Sequence, residues 1–300
     1  MKKLVIAAGT GFLGQVLVSH FKNQFDTLTV LTRNPIPNQE NVHFVYWDAK
    51  TLTGWEKELE NATVLINLAG KSVDCRYTDS NKKEILASRV DSTAVLNQAV
   101  LQCQHPPLHW LNSSTATIYR HATDREMDEE RGEIGDDFSM NVAKAWEKTF
   151  FSVATPKTIK TALRTSIVLG KNGGAYLPLK NLVKLGFGGK QGDGKQFVSW
   201  IHEHDFARAV AYIIENHISG VVNVVAPKPI RNSNFMKKLR QSLSVKTGIP
   251  IGASLLRFGA TLIGTETELV LKSRNVIPKR LLNHGFEFQF GTLKTALKKL

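Results

Sequence analysis

Eleven residues near the start of the chain, Leu4-Val5-Ile6-Ala7-Ala8-Gly9-Thr10-Gly11-Phe12-Leu13-Gly14, constrain its fold more than any other stretch. A short apolar run ends in a glycine-rich turn, and Gln15 to Phe21 (QVLVSHF) then carries apolar residues at helical spacing. Strand, tight turn and helix start, in that order, form a cradle for a dinucleotide pyrophosphate. Gly9 suits the sharp turn, Gly11 lets the backbone approach phosphate oxygens, and Gly14 lets the helix lie close to the strand. Free N–H groups and the positive end of the helix dipole favour an anion there. Thr10, Phe12 and Leu13 complete the turn and join the three glycines as cofactor-binding candidates. The plainer alternative is a glycine-rich turn in an α/β protein without a ligand.

The end of the second strand bears on which dinucleotide fits. Thr27 to Thr32 (TLTVLT) reads as that strand, and Arg33 follows it. A site for NAD(H) usually has Asp or Glu here to hold the ribose hydroxyls. An Arg can instead pair with a 2′-phosphate through its fork. Thr32 and Arg33 therefore point to NADP(H), against the plainer reading of a solvated Arg at a strand end. Asp48, after the apolar strand Val42 to Trp47, is placed either to contact the adenine side or to cap a loop.

Strands and helices alternate through the first half, the pattern of a doubly wound parallel sheet. Thr63 to Leu68 is a continuous apolar strand that ends in Asn67-Leu68-Ala69-Gly70, and the small residues Ala69 and Gly70 sit beside Leu68 at a strand end where ligands bind in such sheets. Lys82 to Gln104 is a long helical segment, and Leu108 to Ser114 is the fifth strand. Arg120 to Asp137 holds eight acids in eighteen residues and reads as an exposed loop before the helix Phe138 to Val153. Thr161 to Leu169 reads as one strand. Gly186 to Gly194, with five glycines in nine residues, reads as a flexible loop and candidate lid. Asp205 can cap the helix Phe206 to Ile214, and Val221 to Val225 is a further strand. Beyond Pro227, helices and Pro-containing turns suggest a smaller, mainly helical domain.

Three hundred residues with 42% apolar and 22% charged content describe an ordinary globular chain with material for a large core. No apolar run reaches the roughly 18 residues of a membrane span, and the chain opens without a signal-peptide pattern. Cys75 and Cys103 have neither metal-ligand nor redox spacing, so a cytoplasmic protein with reduced thiols and no metal is expected. The net charge of +13 is concentrated late, with 14 Lys/Arg against 3 Asp/Glu from Lys228 onward. That region could attract an anionic substrate, nucleic acid or membrane surface. Its charges are spread along helical segments without interleaved aromatics, which favours a solvated surface over nucleic-acid binding.

Several stretches together resemble the extended short-chain dehydrogenase/reductases, and within them an atypical, epimerase-like subfamily with its own C-terminal domain. They are the Gly9–Gly14 turn, Leu31-Thr32-Arg33, Asn67-Leu68-Ala69-Gly70, Ser88-Arg89-Val90, Ser113-Ser114-Thr115-Ala116, Trp146-Glu147 and Leu163 to Gly170. Ser199-Trp200-Ile201-His202 with Asp205, Ala226-Pro227 and Arg274 to Leu282 complete the set. The resemblance implies a Rossmann domain of residues 1–169 with 196–226 that binds NADP(H), a substrate-binding domain of residues 170–195 with 227–300, built from the C-terminal region and an insertion, and oxidoreductase or epimerase-like chemistry. It adds Arg89, Ser113 and Arg164 to the cofactor-binding candidates. The chain departs from it at Ala8, where many members have Gly.

The wider superfamily moves its proton with Tyr-x-x-x-Lys on a helix, assisted by a Ser or Thr hydroxyl. Aligning on Glu147 puts Ser139 and Ala143 at those two positions; one residue along, Met140 and Lys144 keep the spacing without the Tyr. The pair is absent. The third hydroxyl position falls on Thr115, which is either catalytic or a satisfied strand-end residue. Tyr119 could replace the missing acid if its loop curls toward the nicotinamide. His202, with an ordinary pKa near neutrality, is a further general-acid candidate or else a structural residue. Arg76, Lys83, Arg89 and Arg164 could shape an anionic pocket.

These features lead to an NADP(H)-dependent oxidoreductase or epimerase-like protein acting on a small, anionic carbonyl or alcohol. The alternative is a catalytically weak NADP(H)-binding sensor or regulatory protein. A homodimer formed through the long helix is compatible with either.

Overall fold

The computed structural model describes residues 1–256, 266 and 268–300. The chain opens with β1 (Lys3–Ala7), α1 (Phe12–Phe21), β2 (Thr27–Thr32), β3 (Val42–Tyr46) and β4 (Val64–Asn67). It continues through α2 (Asp79–Gln102), β5 (His109–Thr115), α3 (Phe138–Phe151) and β6 (Ile159–Thr165). Next come β7 (Ile167–Gly170), β8 (Gly173–Gly174), α4 (Tyr176–Leu182), β9 (Phe197–Val198) and β10 (Trp200–His202). Helix α5 (Glu203–Glu215), β11 (Gly220–Val224), β12 (Ile230–Arg231) and α6 (Asn232–Ser242) precede short helical turns at Glu268–Leu271, Lys279–Asn283 and Leu293–Leu297.

Seven strands form one parallel sheet in the order β11-β6-β5-β4-β1-β2-β3. The alternation along β1 shows why it needs cover on both sides. Leu4 and Ile6 enter a core with α1 and α5, whereas Val5 and Ala7 enter a second core with Trp47, Trp55, Trp110 and α2. The connections reverse direction between β1 and β4, and in sheets of this kind ligands bind outside the strand ends at that point.

The run Thr161–Leu169 is two strands rather than one. β6 stays in the main sheet beside β11, and after Ser166 the chain crosses to a small second sheet in which β7 lies between β10 and β8. A third core, built on Trp200, Phe235, Met236, Leu239, Leu293 and Leu297, lies under this layer. The C-terminal region contributes to two of these cores: Leu281 and Phe286 are buried in the first, with α1 and α5, and Leu293 and Leu297 in the third.

Two loop expectations need correction. The glycine-rich stretch 186–194 is fastened down. Gly189 and Gly192 donate backbone hydrogen bonds to Ile249 and Ile251, and the Asn232 carboxamide bonds Gln191 at its amide and its side chain. It is a packed connection and not a free lid. The acidic stretch 120–137 is a strap. Met127 exchanges backbone hydrogen bonds with Asn275 and Ile277, Asp128 and Glu130 pair with Lys279 at 3.4 and 2.6 Å, and Asp137 pairs with Lys272. Part of the late positive charge therefore meets its counterions within the chain.

Candidate functional site

A cleft of about 720 Å³ opens over the ends of β1, β2 and β4. Its floor is the turn from Ala8 to Gly11. The left-handed residue of that turn is Ala8, at φ 59°, whose N–H donates to Leu31 O at 2.8 Å; Gly9 keeps an ordinary φ and packs against Ile6 and Val30. Gly11 is the N-cap of α1 and offers no side chain to the first-turn amides, which leaves those donors for an anion. The glycines serve different ends. A Cβ on Gly11 would meet nothing within 4 Å, because the residue borders the cleft. A Cβ on Gly14 would collide with the backbone of Gly9, so Gly14 sets how closely the helix approaches the strand. Phe12 contributes backbone alone: its ring is turned into the β7–β8 hairpin, where Gly170, Gly173 and Gly174 make room for it. Leu13 is likewise packed against the first core.

Thr10, Thr32, Arg33 and Asp48 line one end of the cleft. The Thr10 and Thr32 hydroxyls meet at 3.5 Å, and Thr32 Oγ1 accepts the Asn34 amide at 3.3 Å, which fixes the corner from which Arg33 projects. Arg33 is exposed and its guanidinium has no hydrogen-bond or ion-pair partner among the described residues. Asp48 is committed to its own turn: it accepts the amides of Lys50 and Thr51 at 2.8 and 2.9 Å and the Thr51 hydroxyl at 2.6 Å. Desolvation acts to raise its pKa, but these donors outweigh it and hold the carboxyl below its ordinary value.

Leu68, Ala69 and Gly70 form the opposite wall. Their turn is set by Asn67, a buried residue that belongs to the Asn67–Gly70 motif but not to the site candidates: its Oδ1 accepts the Ala69 amide at 3.0 Å, and its Nδ2 donates to Asn112 Oδ1 at 2.7 Å. Lys71, Ser88 and Asp91 also border the cleft, and the Lys71 amide donates to Ser88 Oγ at 2.9 Å. The absence of a side chain at Gly70 accommodates Arg89, whose Cζ lies 3.1 Å from where a Cβ would stand. Arg89 lies over the Trp146 ring at 5.1 Å and donates through Nη1 to the carbonyls of Lys71 and Ile85. No carboxylate pairs with it among the described residues, and burial draws its pKa down to about 10.

The remaining candidates lie elsewhere. Tyr119 is fully buried, and its hydroxyl donates to Asn223 Oδ1 and accepts from Arg164 Nη1, both at 2.9 Å. Burial, against the opposing pull of Arg164, pushes this phenol up. Arg164 forms a bidentate pair with Glu147, which also accepts the Ser114 hydroxyl, so its guanidinium is engaged in a network within the fold. His202 is buried, stacked on Phe290 at 4.0 Å, and accepts the His204 amide at the start of α5; burial lowers its pKa to about 4. None of the three lines the cleft. Ser113 and Thr115 occupy the end of β5, where Thr115 Oγ1 accepts the Thr117 amide at 3.1 Å. Ser139 lies in the first turn of α3, Ala143 is buried, and Lys144 pairs with Asp136. No grouping of His, Cys, Asp and Glu suitable for a metal occurs among the described residues, nor does a helix long and apolar enough to cross a membrane.

A parallel sheet with a glycine turn and a helix N-terminus at its switch point defines a Rossmann-type dinucleotide-binding protein. Residues 4–145 match the NAD dependent epimerase/dehydratase family, and residues 253–300 match a domain of unknown function. The epimerase family protein YfhF of Bacillus subtilis is 31% identical over 99% of this chain and 97% of its own length. The mouse epimerase family protein SDR39U1 is 30% identical over 99% and 98%. A crystal structure of human SDR39U1 with NADPH superposes with a TM-score of 0.89 at 28% identity, covering 99% of this chain and 98% of that one. The chain belongs to this epimerase family.

Proposed function

We propose that the protein binds NADP(H) in the cleft and uses it as an oxidoreductase or epimerase-like enzyme on a small anionic carbonyl or alcohol. The observation that carries the reading is Arg33, an exposed guanidinium without a partner among the described residues, at the end of β2 where an acid would favour NAD(H). In this reading the α1 amides beyond Gly11 hold the pyrophosphate, Arg33 pairs with a 2′-phosphate, and the Leu68–Gly70 wall meets the ribose on the nicotinamide side. The human relative crystallised with NADPH supports the same choice. When bound, the nicotinamide supplies or accepts a hydride. Arg89, a cation beside that wall with no carboxylate partner among the described residues, supports an anionic substrate.

A sensor without turnover is the second reading, and it is favoured by the engagement of Tyr119 and His202 within the fold and by Ser139 and Ala143 where a Tyr and Lys would stand. Calorimetric titration with NADPH and NADH, for the native protein and Arg33→Ala, tests the shared premise. NADPH should bind more tightly than NADH, and the variant should lose about tenfold or more for NADPH alone, the worth of a charge-assisted pair. Absence of NADPH binding, or equal binding by the variant, would overturn the assignment.

A further inference from the structure

The acidic strap neutralises only part of the positive charge of this chain. Lys272 and Lys279 meet it, but residues 148–192 hold eight Lys/Arg and residues 216–265 hold seven, with no Asp or Glu in either run. The two runs meet at one surface. Ile249 N donates to Gly186 O at 2.8 Å and Gly189 N to Ile249 O at 3.1 Å, which joins the helical turn Val183–Phe187 after α4 to the connection that follows α6. The stem of Arg240 is held between them. A Cβ on Gly188 or Gly248 would stand 2.9 or 2.6 Å from it, and its Nη1 donates to Gly188 O at 2.5 Å. Folding fixes this junction, yet leaves three large apolar side chains facing out: Leu185 is 73% exposed, Ile249 59% and Phe187 38%.

Single exposed apolar residues are ordinary, whereas three on adjoining, fastened backbone mark a contact surface. Lys184, Lys190 and Lys246 flank them along the chain, all exposed and without a hydrogen-bond or ion-pair partner among the described residues. We propose that this surface docks on an anionic lipid bilayer, with Leu185, Phe187 and Ile249 entering the headgroup region and the three lysines facing the lipid phosphates. The inference does not depend on the cofactor reading.

Neither half of the surface suffices by itself. Each lysine near an anionic leaflet gains only a modest attraction, which fades within a Debye length, and a few apolar chains bind a neutral bilayer weakly and reversibly. Together they supply the two signals that stable peripheral attachment requires. A bilayer accepts both at once, because its acyl boundary takes the apolar tips while its phosphates lie level with the ammonium groups. A nucleic acid would meet the lysines and leave Leu185 and Ile249 against a polyanion. Phe187 is the one aromatic residue in stretches 180–192 and 240–250, so a strand of bases would find little to stack on.

Co-sedimentation with vesicles tests this, using phosphatidylcholine alone and an equal mixture of phosphatidylcholine and phosphatidylglycerol. The native protein should pellet with the mixed vesicles, less so as salt is raised, and not with the neutral ones. Leu185→Ser with Ile249→Ser removes no charge and changes only exposed positions. It should melt like the native protein and bind the mixed vesicles about tenfold more weakly. Lys184→Gln with Lys190→Gln should weaken binding several-fold more than Lys294→Gln with Lys298→Gln, a pair of equal charge at the final helical turn. No binding to the mixed vesicles, equal binding to the neutral ones, or native-like binding by a folded serine variant overturns the proposal. Equal losses from the two lysine pairs also overturn it, because the effect would then be one of net charge; if the serine variant unfolds, this comparison decides. Tighter binding to duplex DNA than to the mixed vesicles overturns the choice of lipid.

Discussion

Glu147 and Arg164 face each other across α3 and β6 in a bidentate pair, Nε to Oε1 at 2.8 Å and Nη2 to Oε2 at 2.7 Å. Both side chains are largely buried, at 12% and 9% exposure. Burial works against the guanidinium charge, yet the Glu147 carboxylate holds its pKa above the ordinary value. The pair extends to Ser114 on β5 through Glu147 and to Tyr119 and Asn223 on β11 through Arg164. One polar network therefore ties three strands and a helix beneath the end of the sheet that carries the site.

Replacing one partner exposes the cost of that arrangement. Glu147→Gln leaves the Arg164 charge in place with its counter-charge removed, and a broken buried pair costs about 3 kcal/mol. Urea unfolding should show that loss, whereas NADPH affinity per folded molecule should be unchanged. A stability within about 0.5 kcal/mol of native would mean that water reaches the pair and compensates it.

The two glycines at the helix start should separate by assay. Gly14→Ala drives a methyl into the Gly9 backbone, so it should cost stability, by about 2 kcal/mol or more, together with nucleotide binding. Gly11→Ala adds its methyl to open space beside the cleft. It should melt like the native protein and still bind NADPH more weakly, because a side chain stands between the backbone and the phosphates. Equal losses in both assays for both variants would refute this division of labour.

The legibility of these features in sequence follows from how local they are. The strand, turn and helix around Gly9–Gly14 are specified within about twenty residues, and so were readable. Tyr119 was not. Four residues past Thr115 it could curl either way, and its inward direction is set by Arg164 and Asn223, 45 and 104 positions away. The acidic strap reads as a solvated loop because its near neighbours are acids, while Lys279, the partner of Glu130, lies 149 residues on. Arg164 shows in sequence the charge of a pocket residue, because the Glu147 that neutralises it lies 17 positions away on a different element.

Ala8 carries a backbone conformation that suits glycine. Its φ of 59° is left-handed, a region that costs a residue with a Cβ about 1 kcal/mol, and the Leu31 hydrogen bond holds it there. Ala8→Gly should therefore be neutral to stabilising by about 1 kcal/mol, despite the extra freedom it gives the unfolded chain. Thermal unfolding measures the sign. A clear loss would show that the Ala8 methyl contributes packing on the β1–β2 side of the cleft that exceeds the strain.

Acid should act on the fold through His202. Its pKa is about 4 in the folded protein, against about 6.5 in the unfolded chain. Between those values the unfolded state takes up a proton that the folded state refuses, so stability is lost as pH falls from about 6.5 to about 4 and no further below that. At pH 5 the loss from this one group is about 2 kcal/mol. His202→Asn keeps an acceptor for the His204 amide at the start of α5 and cannot ionise. The variant loses the stack on Phe290 at every pH, which shifts its stability by a constant amount. Its unfolding free energy should consequently fall less between pH 7 and pH 5 than that of the native protein. His109, drawn down to about 4 by burial as well, contributes equally to both and cancels in the comparison. Parallel curves for the two proteins would mean that His202 accepts its proton without leaving the fold.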